Sequence, residues 1–549
     1  MDLKELQKNP QALMIGGAAL AGMMLFTCCC TCGIGTWLFP SSGGSTSGNG
    51  GSFTGKLAKD DPATPPRGTS KHGKPLSSQV LKRAISGRRY TNKETLILGT
   101  DDADQLLPGS LRVSPDGSRY AYILKSGSAH KVILDGKPHV TVPEGVNLAT
   151  MLFSQDGKHF YFAPSEGGKY FADGEERRVL STDGDWISPT IRVLTPTDDP
   201  TKTATVAYLK YGPYQFKWHL LVGSDALVKM DGYESSPPFS VVTAPVVRWY
   251  QIATTEGGAN AIVDGKKGPI YTSITSVALA GRTTSAYIAS RDKNQFLVYN
   301  GQEKKLHDGV SSFQLSPDGN RFAYWASVTA DAAVGRAEEN KLYVDDEPME
   351  HYATNFVFSP DSAHWAGVQN LEYNVNRVIL DDLPFRRYAS CTQPVFTPDG
   401  RNIAYVASAA DDKGVTHQFA VFNGSEQQPY SFVSGAIVFS PGSDAYAYVA
   451  RKEDGKAYVV VNGHEGPAWD DFQFAADKSP ILSFSGDGRS IGYVAKVGDF
   501  WAAVLDGKQS KEYDQIGPEG TRIGFTPRGS FTYIAVSKGA FYWVEEQSK

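Results

Sequence analysis

Cysteine is scarce where a fold would use it. Of the five in the chain, Cys28, Cys29, Cys30 and Cys32 crowd into one apolar stretch near the N-terminus, and Cys391 stands alone in the long remainder. One thiol cannot build an intrachain disulfide framework, so the body must be held by its core. The ten histidines are scattered, with no HExxH and no paired spacing that would present two imidazoles to a metal ion. No separate α/β segment is present after residue 90 to carry the triad of a nucleophile-elbow hydrolase, and the single Gly-x-Ser-x-Gly match, Gly488 to Gly492, lies inside one of the repeat copies. Clustered positive charge is missing from the same region. Residues 53–90 hold nine Lys or Arg against two Asp, so the formal net charge of −5 leaves the rest of the chain strongly acidic. A basic tether thus leads into an acidic body, which argues against nucleic acid as the partner of the folded part.

What the chain does have begins with an uncharged run from Ala12 to Phe39. About 20 apolar residues cross a bilayer core, and a cleaved signal peptide has a much shorter apolar region, so residues 12–39 read as an uncleaved transmembrane helix. Residues 1–11 form a short tail with Lys4 and Lys8, while the next basic residue after the span is Lys56. The positive-inside tendency then places the N-terminus in the cytoplasm and everything after Pro40 on the exported side. The cysteines near the outer end of the span are small apolar helix residues in this reading, since neighbours on a helix point apart and make a poor tetrahedral site. Residues 40–89 are a Gly/Ser-rich, then Pro-rich and basic linker that cannot bury enough apolar surface to fold. Within it, Gly68 to Lys74 imitates a phosphate loop, but Pro75 stands where a Ser or Thr should bind the metal ion.

From residue 90 onward one segment recurs: LRVSPDGSRYAYIL from Leu111, MLFSQDGKHFYFA from Met151, FQLSPDGNRFAYWA from Phe313 and FVFSPDSAHWAGV from Phe356. Four later copies follow, and three weaker ones lie near Thr195, Ala244 and Leu279. The Ser/Thr anchors fall near 114, 154, 195, 244, 279, 316, 359, 397, 440, 485 and 526. A period around 40 residues is that of one propeller blade. Inside each copy, alternating apolar residues lead into Ser-Pro-Asp-Gly, which supplies a fixed φ, a side-chain acceptor and a permissive glycine, before an aromatic–small alternation resumes. A second turn, Asp-Gly or Asn-Gly, follows at Asp135, Asp264, Asn300, Asn423, Asn462 and Asp506. Flanked by apolar strands, this is the strongest short hairpin signal. Four strands per repeat result, and about eleven repeats.

These repeats resemble the TolB-type and WD-like propeller repeats of bacterial proteins, marked by the SPDG turn followed by an Ala-Tyr strand. The resemblance implies an all-β, exported bacterial propeller and carries no catalytic residues. Eleven blades exceed the four to eight usual in one ring, so two tandem propellers are expected, residues 90–320 and 321–549, with one large ring as the alternative. The last copy ends without a partner strand, and Glu94–Leu98 could supply it and join the ends.

The longest insertions, Ser327–Asn340 and Ser408–Thr416, follow the second strand of their repeats, on the end opposite the SPDG turns. That face is the candidate binding face, with Glu338, Glu339, Asp411, Asp412 and Lys413 from the insertions. Tyr352, Tyr388, Tyr430, Trp469 and Tyr513 arrive from the connections between repeats. A position that recurs in every repeat also fits a structural plug between blades. The SPDG aspartates are expected to accept backbone hydrogen bonds in their own turns, not to gather round a metal ion. The expected function is a membrane-anchored, extracytoplasmic scaffold in the bacterial inner membrane, its propeller on the periplasmic side, binding a protein or an envelope polymer without a cofactor. A propeller-borne hydrolase or lyase and a small-ligand sensor stay open.

Overall fold

The computed structural model describes residues 90–548, apart from short stretches that include 179–187, 196–203, 211–215, 232–238, 243–247 and 330–337. The expected anchor, its cysteines, the linker and the middle of the Ser327–Asn340 insertion lie outside the described residues. Among those described, no helix is long and apolar enough to cross a membrane.

The described chain is all-β. Eleven antiparallel sheets follow one another in chain order, each four strands wide, with the first strand split into two short segments in the last four. They occupy residues 112–142, 146–178, 188–231, 239–267, 273–303, 309–348, 354–388, 390–426, 432–469, 471–513 and 515–548, and are called sheets 1 to 11 below. This construction is consistent with a β-propeller. All eleven anchors of the sequence repeat fall at the end of a first strand or between first and second strands of a sheet.

The local chemistry explains the regularity. In sheet 1, the Ser114 hydroxyl donates to Asp116 Oδ1 at 2.5 Å and accepts the Arg119 N–H at 3.0 Å, while the Ser118 N–H donates to the same carboxylate oxygen at 3.1 Å. The same clasp joins Ser316 to Asp318 and Ser485 to Asp487 at 2.6 Å. The Asp-Gly and Asn-Gly turns close the third and fourth strands with positive φ at both residues, as at Asp135 and Gly136. Their side chains also tie the two turns of a sheet together. Asp135 Oδ1 accepts the Tyr120 N–H at 3.1 Å, and Asn462 Oδ1 accepts the Tyr446 N–H at 2.9 Å. Both turn types therefore lie at one end of every such sheet, here the turn end, and the loops between second and third strands lie at the other, the loop end.

Successive sheets share apolar cores. Ala286, Ile288 and Leu297 of sheet 5 pack with Val310, Phe322 and Tyr324 of sheet 6, and Leu342 and Val344 of sheet 6 pack with Phe356 and Trp365 of sheet 7. The core is thus continuous between residues 300 and 350, where a division into two propellers was expected. The expected boundary at 320/321 falls in the turn between Gly309–Leu315 and Phe322–Thr329, two strands of one sheet.

Sheet 11 is completed from the other end of the chain. Tyr90–Leu98 pairs antiparallel with Ala540–Ser548, Thr95 opposite Trp543, giving the joined ends that the unpaired last repeat suggested. Ile97, Leu98 and Ile534 then pack against Leu111, Tyr120 and Tyr122 of sheet 1. Glu519 reinforces this seam: its two carboxylate oxygens accept the N–H groups of Gly109, at 2.7 Å, and Leu111, at 3.2 Å.

Candidate functional site

At sheets 5, 10 and 11 the loop end is held by contacts between the incoming connection and the loop beside it, the first being the Asp292 N–H donating to the Thr272 hydroxyl at 3.2 Å. Asp470, on the way into sheet 10, accepts the Gly498 N–H at 2.8 Å, and Asp514, on the way into sheet 11, accepts the Lys538 N–H at 2.6 Å. These side chains stiffen turns that otherwise have only their own backbone bonds.

The aromatics expected on this face divide sharply. Tyr388, Tyr430 and Tyr513 are buried in the seams between sheets, and Tyr271 matches them at the seam of sheets 4 and 5. Each sends its hydroxyl to a glutamate on the fourth strand of the sheet it leads into: Tyr271 to Glu303 at 3.1 Å, Tyr388 to Glu426 at 3.1 Å, Tyr430 to Glu465 at 3.0 Å, and Tyr513 to Glu94. A cation completes every pair, with Arg291 2.6 Å from Glu303, Arg386 2.6 Å from Glu426, Lys452 2.7 Å from Glu465 and Lys511 2.8 Å from Glu94. Burial first, and then the neighbouring carboxylates, push the Tyr388 and Tyr430 phenols well above the usual tyrosine range, so they stay protonated donors. These tyrosines are seam plugs and are not available to a partner. Trp469 is half-buried and donates its indole N–H to the Tyr493 hydroxyl at 3.3 Å. Tyr352 differs from the others in being 37% exposed.

The charged candidates stay at the loop end without converging. Asp411 closes its own loop, accepting the N–H groups of Lys413 at 2.9 Å and Val415 at 2.8 Å, while Asp412 and Lys413 are exposed. Glu338 and Glu339 lie in the strand Glu338–Val344, opposite Thr329 and Val328; their side chains lie outside the described residues.

A feature that the repeat pattern does not reveal lies on the same end. Tyr373, 93% exposed, sits in the loop between the second and third strands of sheet 7, and Val415 is exposed in the same loop of sheet 8. Phe432 opens sheet 9 opposite Arg451, and Phe500 opens the third strand of sheet 10 opposite Val497. Both are exposed. With Tyr352, they place five of the eight large exposed apolar side chains among the described residues at the loop end of four consecutive sheets, 7 to 10. Their sequence signal is an apolar residue inside a turn that would otherwise be polar, as in Glu372-Tyr373-Asn374.

Elsewhere the polar groups are structural. The ligand atoms of Glu350, His351 and Asp382 lie within 4.8 Å of one another, but both Asp382 oxygens already accept backbone N–H groups, from Glu350 at 2.8 Å and His351 at 3.0 Å. The SPDG aspartates turn inward to their own clasps as expected. The Ser316 hydroxyl, the Asn320 backbone and their neighbours hold the Asp318 carboxyl down at about 2. Against burial, which would raise it, Lys158 and Ser154 hold Asp156 at about 2 as well. Burial pushes the Cys391 thiol up to about 12, which leaves it an inert apolar group.

No protein-family model and no curated protein matches the chain. Solved structures similar to it include one of a eukaryotic initiation factor, at 11% identity over 65% of this chain and 86% of that one, with a TM-score of 0.35. Another is the β-propeller domain of Cps50 (Swd1) from Myceliophteria thermophila, at 10% identity over 49% and 98%, with a TM-score of 0.22. TolB from Acinetobacter baumannii matches at 14% identity over 63% and 79%, with a TM-score of 0.18.

Proposed function

We propose that this chain is a non-enzymatic β-propeller that offers the loop end of sheets 7 to 10 to a protein partner. Residues 12–39 hold it in a bacterial inner membrane, and the linker 40–89 sets the propeller free on the periplasmic side. The observation that carries the reading is the row Tyr352, Tyr373, Val415, Phe432 and Phe500. Single exposed apolar residues are ordinary on a protein surface, whereas several on one end of adjacent sheets form the kind of patch that marks an interaction site. Aromatic anchors dominate the energetics of such interfaces, and four of these five are aromatic.

The eleven sheets form one closed array in this account. Shared cores run without a break from sheet 4 to sheet 11, across to sheet 1 and on to sheet 3, and the N-terminal strand fastens the last sheet. The seam between sheets 3 and 4 lies outside the described side chains. Proximity crosslinking of the full-length protein in its native membrane tests the function. A discrete protein partner that is lost from the Tyr373→Ser/Phe500→Ser double variant supports it. A partner indifferent to both substitutions, or recovery of glycan alone, overturns it.

A further inference from the structure

We propose a second site, independent of the partner face: a cavity at the turn end between sheets 9 and 10 that binds a small aromatic carboxylate. The cavity measures about 200 Å³. Its walls are Val461, Phe484, Ile491 and Tyr493, with Gly466 on one side.

The cause of the cavity can be read by comparing seams. The last residue of a third strand faces the first residue of the next sheet's second strand, and a large side chain fills this place at several seams; between sheets 4 and 5, where Val263 and Thr284 stand there, the Arg248 side chain crosses to the Thr284 carbonyl at 2.6 Å. Tyr299 meets Phe322 with centroids 4.5 Å apart between sheets 5 and 6, and Phe422 meets Tyr446 at 5.1 Å between sheets 8 and 9. Between sheets 9 and 10 the equivalent residues are Val461, just before the Asn462 turn, and Ile491, whose N–H donates to Asp506 Oδ1 at 2.8 Å. The seam of sheets 7 and 8 also has two aliphatic residues, Leu380 and Ile403, but Phe385 joins their core there. The residue at the position of Phe385 in sheet 9 is Gly466, two residues beyond His464 as Phe385 is two beyond Leu383. Three small choices at this seam leave the volume that a ring occupies between sheets 5 and 6, 7 and 8, and 8 and 9.

The chemistry of the mouth selects the ligand. A cavity of about 150 Å³ lined by aliphatic and aromatic side chains holds benzene, so this one has room for one ring with a short substituent. His464, Arg489 and Lys508 stand around it. Of the acidic groups beside them, Asp506 already accepts the Ile491 N–H and the Tyr90 hydroxyl, and Asp487, 3.9 Å from the Arg489 guanidinium, accepts the Ser485 hydroxyl and the Arg489 N–H. A carboxylate on the ring therefore meets the Arg489 and Lys508 cations, which suit it, and an amine would not.

The test is fluorine NMR of para-(trifluoromethyl)benzoate with the full-length protein in lipid nanodiscs, using empty nanodiscs as blank and the neutral para-(trifluoromethyl)benzyl alcohol for comparison. Saturable broadening of the benzoate is expected, weakened at least tenfold in Ile491→Phe, which restores the missing ring. Arg489→Gln, an exposed position, is expected to weaken the benzoate and leave the alcohol unchanged. Should Ile491→Phe fail to fold, Val461→Phe fills the cavity from the opposite wall. Absence of saturable binding, equal binding in the filled variant, or equal loss of acid and alcohol in Arg489→Gln would overturn the proposal.

Discussion

The Tyr430 hydroxyl lies 3.0 Å from Glu465 Oε1, joining the connection into sheet 9 to that sheet's outermost strand, 35 residues further along the chain. Lys452 reaches the other oxygen of the same carboxylate at 2.7 Å. The relationship recurs at Tyr271, Tyr388 and Tyr513, so it is a property of the repeat, and it gives the clearest stability prediction. Tyr430→Phe keeps the ring in the seam and removes the donor. It should cost about 1.5–3 kcal/mol, the usual contribution of a hydrogen bond to a charged group. Denaturant unfolding of the pair checks this, and an unchanged midpoint would show that the hydroxyl contributes nothing.

Closure by the N-terminal strand makes a second prediction. Without Tyr90–Leu98 the strand Ala540–Ser548 becomes an unpaired sheet edge, and the apolar faces of Ile534 and Trp543 lose their cover. Glu519→Ala removes the acceptor of two backbone N–H groups at the same seam, each bond contributing about 0.5–1.5 kcal/mol. Hydrogen exchange should accelerate at residues 90–98 and 540–548 in that variant and stay unchanged in sheets 6 and 7. Uniform exchange throughout would contradict a local latch.

The turn aspartates set the response to acid. Asp318 is held at about 2 by the Ser316 hydroxyl and the Asn320 backbone, below the ordinary carboxyl value. A depressed folded pKa gives stability that is present above the unfolded value and lost as pH falls toward about 2. Asp318→Asn should therefore lower the melting temperature at pH 7 more than at pH 2.5. Equal losses at the two pH values would argue against a charged clasp.

Glu546 has the opposite sign. It is 2% exposed and accepts hydrogen bonds from Tyr533 at 3.0 Å and Asn92 at 2.9 Å, yet burial raises its pKa above the ordinary value. Its stabilising contribution is present below the unfolded pKa and lost as pH rises through the folded one. Glu546→Gln, a neutral replacement, should gain stability relative to the natural residue as pH rises from 4 to 8. A difference independent of pH would rule out this titration.

Much of the fold is legible in the residues themselves. SPDG and Asp-Gly turns act within a few residues, so their spacing reveals eleven sheets, and the missing last strand is legible because the repeat has a fixed strand count. Local chemistry also hides cases. Asp345-Asp346 and Asp381-Asp382 make the same positive-φ turns with no glycine, so sheets 6 and 7 carry no second-turn signal in the sequence. The site is less legible, because exposure is decided by stacking between sheets. Tyr388 and Tyr373 both lie near strand ends, and only the position of Glu426, 38 residues beyond Tyr388, makes the first a buried plug. Tyr373 has no such partner strand over it and is left at the surface.

The central claim, that the loop end of sheets 7 to 10 meets a protein partner, is tested most directly by placing a photo-crosslinking amino acid at two positions in the full-length protein. One is Tyr373 at the loop end, and the other is Leu383, an exposed apolar residue beside the turn end of the same sheet. The account predicts a discrete crosslinked species from position 373 and none from 383. Crosslinks from 383 alone, or equally from both, would contradict it.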